Sequence, residues 1–244
     1  MIVAPGPRMS RLSISAFFPC YNDAGSIGDI VINTDQVLQT LTGDYEIIVV
    51  NDGSKDRSAD VLRELESQLP RLRVVTHPVN EGYGAALRSG FKAATKDLVF
   101  YTDGDGQYDV REAALLRMLL SDDVDFVNGI KMTREDPEYR VIAGNLHKFL
   151  MRWMFWLPII DVDCDFRLIR RHIIDQIELT SRSGSICVEL VKKAERAGAQ
   201  FREVSVHHHA RRSGASQFFT FSKISKTYLD LASLWVGLML AGGR

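Results

Sequence analysis

Tyr45-Glu-Ile-Ile-Val-Val50 is apolar at almost every position, stops at Asn51-Asp52-Gly53-Ser54, and gives way at once to a helical pattern. A strand that is apolar on both faces needs cover on both, and a parallel sheet between two layers of helices supplies it. The unit recurs along the chain. Leu12 to Phe18 reads as a strand ended by Pro19-Cys-Tyr-Asn-Asp23, and a helix over Ser26 to Thr40 follows, with Ile27, Ile30, Val31, Val37, Leu38 and Leu41 as its apolar repeat. A helix over Ser58 to Leu69, a strand over Arg73 to His77, a helix opened by Asn80 to Ala86 and ending near Ala94, and a strand from Leu98 complete the series. Strands alternating with helices in this way predict an α/β fold with a doubly wound, mostly parallel sheet and flanking helices.

In such a sheet ligands lie at the carboxyl ends of the strands. The run Leu98-Val-Phe-Tyr-Thr-Asp-Gly-Asp-Gly-Gln107 puts Asp103 and Asp105 there, two residues apart. Carboxylates so close repel each other unless a cation lies between them. Mg²⁺ or Mn²⁺ carrying a diphosphate is the natural occupant, because Mg²⁺ is commonly held by one or two carboxylates plus substrate phosphates. Gln107 adds a neutral oxygen. The alternative is a solvated acidic turn. A calcium loop is excluded, since it needs Gly where Tyr108 stands and Glu where Ala114 stands. Asp52 ends the second strand, where a carboxylate accepts from a ribose or a base, or else caps the following turn. Gly82-x-Gly84 is no dinucleotide fingerprint: Leu87 replaces the third glycine and the motif follows the third strand.

The 244 residues suffice for one large domain or two small ones, and a net charge of −1 with 25% charged residues offers no basic field for nucleic acid. Cys20, Cys164 and Cys187 have neither C-x-x-C spacing nor an even count, which suits a reducing, cytoplasmic compartment. Residues 1–10, with two prolines and no apolar core, read as a disordered tail rather than a signal peptide. The apolar run Leu231 to Gly243 is too short and Gly-rich to span a bilayer.

The second half opens with a strand over Val124 to Gly129 that leads to Lys131. A helix over Leu146 to Leu157 carries Leu146, Phe149, Leu150, Trp153 and Leu157 on one face, with His147, Lys148 and Arg152 elsewhere, a composition that suits a membrane interface, with an ordinary core helix as the alternative. Asp161, Asp163 and Asp165 alternate before Phe166 and would share one face of a strand. Glu189, on a helix over Ile186 to Arg196, is a candidate base or a structural carboxylate. His207, His208 and His209 continue an expected strand from Val204, so at most two converge on a metal, and His209 is the best placed. Phe218, Phe221, Ile224, Tyr228, Leu231, Trp235 and Leu238 form a C-terminal amphipathic helix, expected to rest on a membrane, with packing on the domain as the alternative.

Pro19-x-Tyr-Asn22, Val49-Val-Asn-Asp-Gly-Ser-x-Asp56, Asn80-x-Gly-x-Gly-x-Ala86 and Asp103-x-Asp-x-Gln107 together resemble the GT-A fold family 2 glycosyltransferases, and among them the polyprenyl-phosphate (dolichol-phosphate mannose synthase-like) branch. The resemblance runs on through Asn145, Leu157 to Asp161, Phe166-Arg167 and Arg211-x-x-Gly214-x-Ser216. It implies a GT-A domain over residues 11–216, donor-binding to about 107 and acceptor-binding beyond, with 217–244 as a membrane-associating segment. By the same resemblance Pro19, Tyr21, Asn22, Asp52, Gly53, Asn80, Gly84 and Asp103 would surround a UDP- or GDP-linked sugar, while Asp103, Asp105 and Gln107 hold Mg²⁺ or Mn²⁺. Lys131 and Arg140 would meet the phosphate of a dolichyl or undecaprenyl phosphate, with Arg167 and Arg211 as further catalytic cations. Such an enzyme would lie peripherally on the cytoplasmic face of a membrane, as a homo-oligomer or with a separate membrane subunit. Two departures stand out: Asp23 where the family has Glu, and Cys164-Asp165 where it has a small residue and Gly. A same-fold transferase acting on a saccharide or protein hydroxyl would need a base such as Asp165 or Glu189. A non-catalytic nucleotide-binding membrane partner would not need the intact metal motif.

Overall fold

The computed structural model describes residues 12–132, 138–210 and 221–240. The chain runs β1 (Ile14–Cys20), α1 (Ile27–Leu41), β2 (Tyr45–Asp52), α2 (Ser58–Gln68), β3 (Leu72–His77), α3 (Tyr83–Ala93) and β4 (Leu98–Thr102). It continues through a 3₁₀ turn (Val110–Glu112), α4 (Ala113–Leu119), β5 (Phe126–Lys131), α5 (Glu138–Phe155), β6 (Phe166–Arg170), α6 (Arg171–Asp175), α7 (Ile186–Arg196), β7 (Phe201–Val206) and α8 (Phe221–Trp235), which passes into a π turn at Val236–Leu240.

The strands form one seven-stranded sheet in the order β3-β2-β1-β4-β6-β5-β7. Every pair is parallel except those of β6, which runs against both β4 and β5. Strand order reverses between β1 and β4, so their carboxyl ends open the crevice that this class of sheet uses for ligands. β1 pairs with β4 only as far as Phe17, and Pro19 falls past that point, where a missing N–H is tolerated.

The alternation of each strand divides its side chains between two cores. Phe18, Ile47, Val49 and Phe100 pack under α1, α2 and α4, while Phe17, Ile48, Val50 and Tyr101 pack with α3, α5 and α7. That division is why β1 and β2 read as apolar throughout. In the second core the Phe17 and Tyr101 rings stack at 5.2 Å and Phe91 meets both edge-on.

Several expectations are adjusted in the second half. β5 begins at Phe126 rather than Val124, and α5 starts well before Leu146. Asp161, Asp163 and Asp165 lie on a loop that precedes β6, not on a strand. β7 stops at Val206, short of the histidines, and only His208 bridges back, to Tyr108.

The two apolar stripes, both expected at a membrane, part ways. Leu231 of α8 and Leu238 of the π turn are buried in the second core and the Trp235 indole donates to the Met154 carbonyl at 2.9 Å, so these three side chains pack on the domain, while Tyr228, Leu229, Val236 and Leu240 are exposed. Phe218 lies outside the described residues. On α5 the inner face is Met151 and Phe155, whereas Leu146, Phe149, Leu150 and Trp153 face solvent, as does Trp156 in the turn just past its end; Phe149, Trp153 and Trp156 are 67%, 69% and 73% exposed. Leu157, expected on that stripe, is buried. Among the described residues no helix is long and apolar enough to cross a membrane.

Candidate active site

The loops after β1 and β2 are tied together at the mouth of the crevice. The Asn22 amide donates to Ser54 Oγ at 3.0 Å, and Asn22 Oδ1 accepts the Lys55 amide at 2.8 Å. Ser58 Oγ accepts the Asp23 amide at 3.1 Å, and Asp56 accepts that of Ala24 at 3.1 Å. Asn22 adopts φ 60°, a left-handed turn that Asn tolerates better than most residues. Asp23 accepts the Tyr21 amide through Oδ2 at 3.1 Å, which gives that departure from the family pattern a local turn role. Tyr21 and Asn22 therefore stand on a braced loop at the carboxyl end of β1, just past Pro19, which is buried within the strand.

Asp52 forms the second wall and is buried. Its Oδ1 accepts from the Glu81 amide at 2.8 Å and pairs with His77 Nδ1 at 2.7 Å; its Oδ2 accepts from the Gly82 amide at 3.0 Å. His77 Nε2 continues to Ser89 Oγ at 2.8 Å. Of the two roles open to Asp52 in the sequence, the cap is visible in these contacts; a carboxylate has about four lone-pair sites, and three donors leave room for a ligand. Asn80 donates its side-chain amide to the Asp52 carbonyl at 3.3 Å. Gly53, at φ +66°, lies against the backbone of Val79 and Asn80, where a Cβ would come within 2.5 Å. Gly84 approaches the loop before α7 instead: its amide donates to the Arg182 carbonyl at 3.0 Å.

Asp103 and Asp105 leave the end of β4. Oδ1 of Asp103 accepts the Tyr83 hydroxyl at 2.8 Å, and Oδ1 of Asp105 accepts the Gln107 amide at 3.0 Å. Burial, then the Asp165 and Asp105 carboxylates, push the Asp103 carboxyl well above the usual carboxylate range, against the pull of the Tyr83 hydroxyl and the Lys131 ammonium. Such crowding of negative charge is relieved by a divalent cation. Among the described residues no three His, Cys, Asp or Glu side chains converge as ligands. Two carboxylates with substrate phosphates completing the shell is the arrangement Mg²⁺ accepts, so the donor set fits. Gln107 donates its side-chain NH₂ to the His209 carbonyl at 3.0 Å, while its own backbone carbonyl accepts the His209 amide at 2.8 Å.

On the acceptor side the expected cations divide. Lys131 donates Nζ to the Asp163 carbonyl at 2.6 Å. Burial works against its charge, but Cys164, Asp161, Asp163 and Asp165 outweigh it and hold the ammonium above its ordinary value. Arg167, expected to meet a phosphate, is wholly buried. Nε serves Asn128 Oδ1 at 2.8 Å and the Cys164 carbonyl at 3.1 Å, one terminal nitrogen serves the Tyr101 hydroxyl at 2.7 Å, and the other the Val162 carbonyl at 2.5 Å. A guanidinium so engaged supports the floor of the site and does not reach substrate. Arg211 and the Arg140 side chain lie outside the described residues.

Asp165 accepts from Tyr101 at 3.2 Å and from the Cys187 thiol at 3.2 Å, with Arg167 at 3.9 Å. Glu189 is fully buried and accepts from the Thr180 amide at 3.0 Å, the Thr180 hydroxyl at 2.9 Å and the Ser181 amide at 2.8 Å, with Lys193 at 2.9 Å. That carboxylate anchors a loop, and a role as general base does not fit it. His147 and Lys148, expected as surface bases beside the α5 stripe, turn inward to Asp163 at 3.5 Å and Asp161 at 2.6 Å, leaving Arg152 exposed. Two of the three histidines share a side: the His207 and His209 rings stack at 6.2 Å, with His207 paired to Glu112 at 2.6 Å and His209 holding Gln107 through its backbone, while His208 turns away to meet the Tyr108 ring edge-on at 5.0 Å.

Sequence reasoning missed Tyr83 and His77, the side chains that hold the two key carboxylates. Register could have revealed His77, since Asp52 and His77 are opposite partners at the ends of β2 and β3. Tyr83 stands between Gly82 and Gly84 at the start of α3, an unusual place for a large side chain.

The fold is shared with solved glycosyltransferases. Glucosyl-3-phosphoglycerate synthase from Mycobacterium tuberculosis, in complex with Mn²⁺, uridine diphosphate and phosphoglyceric acid, superposes with a TM-score of 0.71 at 17% identity, over 93% of this chain and 78% of that one. The same enzyme with Mg²⁺ and uridine diphosphate gives 0.70 at 16% identity, over 96% and 84%. The structure of a mycobacterial protein gives 0.71 at 16% identity, over 96% and 80%. The sheet order, with its antiparallel β6, is thus that of a GT-A domain. The sequence profile of Glycosyl transferase family 2 matches residues 15–178, from β1 to just beyond α6, and the chain belongs to that family.

Proposed function

We propose that this glycosyltransferase moves a sugar from a UDP- or GDP-linked donor to a polyprenyl phosphate, with inversion at the anomeric carbon, while resting peripherally on the cytoplasmic face of a membrane. The observation that carries the acceptor assignment is the outward row of α5 and the turn after it, where Leu146, Phe149, Leu150, Trp153 and Trp156 face solvent beside Arg152. A contiguous exposed patch with two Trp and a Phe marks an interaction surface, and an apolar row flanked by a base suits a lipid interface. The row belongs to the acceptor half, on the helix that follows Lys131.

Each half of the crevice then has a task. Pro19, Tyr21, Asn22, Asp52, Gly53 and Asn80 surround the nucleoside. Asp103 and Asp105, with the amide oxygen of Gln107, would hold Mg²⁺ or Mn²⁺. The bound ion supplies Lewis-acid stabilisation of the departing nucleoside diphosphate. Lys131 has three ammonium donors and one visible partner, leaving two for an acceptor phosphate. A phosphomonoester with a second pKa near ~6 is already a dianion at neutral pH, so no protein base is required.

Transfer to a hydroxyl does require one, and the anchoring of Glu189 leaves Asp165 as the candidate for that second reading. The test offers labelled UDP- and GDP-sugars with Mn²⁺ to three acceptors: a short water-soluble polyprenyl phosphate, 3-phosphoglycerate and a sugar alcohol. Label should appear on the polyprenyl phosphate, and Asp165→Asn should preserve it. Transfer to a hydroxyl acceptor, abolished by Asp165→Asn, would establish the second reading instead.

A further inference from the structure

Tyr83 bridges the two carboxylate ends of the crevice. Asp52 accepts the amides of Glu81 and Gly82, the residues before it, at 2.8 and 3.0 Å. Tyr83 then opens α3 and sends its hydroxyl to Oδ1 of Asp103 at 2.8 Å. The backbone around it is held on both sides. Gly82 has φ +98°, and a Cβ there would come within 2.8 Å of the Arg182 carbonyl oxygen; one on Gly84 would come within 2.5 Å of the Ser181 carbonyl oxygen. The loop that supplies those carbonyls is fixed in turn by Glu189, through the amides of Thr180 and Ser181. The hydroxyl therefore donates from a point set by Asp52 on one side and by α7 on the other.

We propose that Tyr83 is a positioning residue for the divalent cation: its hydroxyl fixes one oxygen of Asp103, so that the other is presented to the ion. This rests on the proposed function, in which Asp103 and Asp105 hold Mg²⁺ or Mn²⁺ with a nucleoside diphosphate. A carboxylate on a short side chain turns about its last bond, and an ion held by only two carboxylates gains most from having one of them already oriented. The chain of contacts from Asp52 through Gly82 and Tyr83 makes that orientation a property of the folded crevice, not of the bound ion. Partners that orient a metal ligand change affinity by about 10–100-fold when removed.

The test compares wild type with Tyr83→Phe, which keeps the ring and removes only the hydroxyl. Mn²⁺ binding is read by electron paramagnetic resonance, and binding of uridine, guanosine and their diphosphates by calorimetry, with and without Mn²⁺; where guanosine is the nucleoside bound, it takes the place of uridine below. Tyr83→Phe should raise the Mn²⁺ dissociation constant about tenfold, while metal-free uridine binding and the melting temperature stay at wild-type values. Pairing it with Asp103→Asn should be non-additive, because the two changes remove one shared contact. An unchanged Mn²⁺ constant, additive effects, or an equal loss of metal-free uridine binding would overturn the assignment. If wild type binds no nucleoside diphosphate with Mn²⁺, the functional reading fails and takes this one with it; if wild type binds and Tyr83→Phe binds identically, only this inference fails.

Discussion

Three carboxylates with different partners show how similar side chains acquire different tasks. Asp103 is crowded by like charge, Asp52 is satisfied by amides and an imidazole, and Glu189 faces Lys193 and three further donors. For Glu189 burial opposes ionisation, but Lys193 and the Ser181 and Thr180 donors outweigh it and hold the carboxyl below its ordinary value of 4.5. A depressed carboxyl favours the folded state above that value, and the contribution is lost as pH falls through the lower folded value. Glu189→Ala should therefore destabilise by about 3–5 kcal/mol at pH 7 in urea titration, since it strands the Lys193 ammonium. The penalty should shrink in acid below 4.5, where wild type itself loses the interaction. A loss of turnover at unchanged stability would instead mark Glu189 as part of the chemistry. The sequence showed Asp103, Asp105 and Asp52 clearly because each stands before a glycine at the end of a strand. It did not show which carboxylate was already occupied: Lys193 follows Glu189 at the four-residue spacing of a helical ion pair, a signal that could have been read, but Thr180 and Ser181 carry no pattern that announces their partner.

At the scale of elements, periodicity located the helices but not the direction they face. Both α5 and α8 carry a regular apolar repeat, and both were legible as amphipathic. They nonetheless face different ways, because α5 has two apolar faces and α8 is needed inside. Met151 and Phe155 satisfy the core, which frees Phe149, Trp153 and Trp156 to face outward, while Leu231, Trp235 and Leu238 of the C-terminal stretch complete the second core. The strand expected to carry the histidines failed for a related reason: β7 follows β5 only to its pairing with Lys131, and the chain then turns to meet Tyr108 and Gln107. If the α5 row faces lipid, Trp153→Ser with Trp156→Ser should leave thermal stability almost unchanged and sharply reduce sedimentation with anionic liposomes. Each large apolar side chain buried is worth about 1.5–3 kcal/mol, so each loss should weaken attachment by roughly tenfold or more. A drop in melting temperature with unchanged liposome binding would assign the row to packing instead. Leu231→Ala should do the reverse, at about 2–5 kcal/mol of stability.

For the whole molecule, the alternation of strands and helices up to β4 was readable from the apolar runs, because a doubly covered parallel sheet leaves few other ways to bury them. The chain beyond β4 was less legible, since a strand that enters the sheet in reverse carries no signature of its direction. β6 lies between β4 and β5 and runs against both, with Thr102 opposite Phe166. Its first residue therefore starts at the same edge where the parallel strands finish. The chain leaves β5 at Lys131 and returns at Phe166, so the 132–165 excursion begins and ends at the rim of the crevice. Such a segment is closed at both ends by a fixed frame, as a cassette is by its slot. In the proposed function its outward α5 row carries the acceptor surface, while its inner residues, Met151, Phe155 and Val162, stay packed in the second core. Exchanging 132–165 for the matching stretch of a family member with another acceptor should redirect transfer while nucleotide affinity stays constant. One sheet with one reversed strand thus sets both ends of that excursion beside the strand ends that carry Asp52 and Asp103.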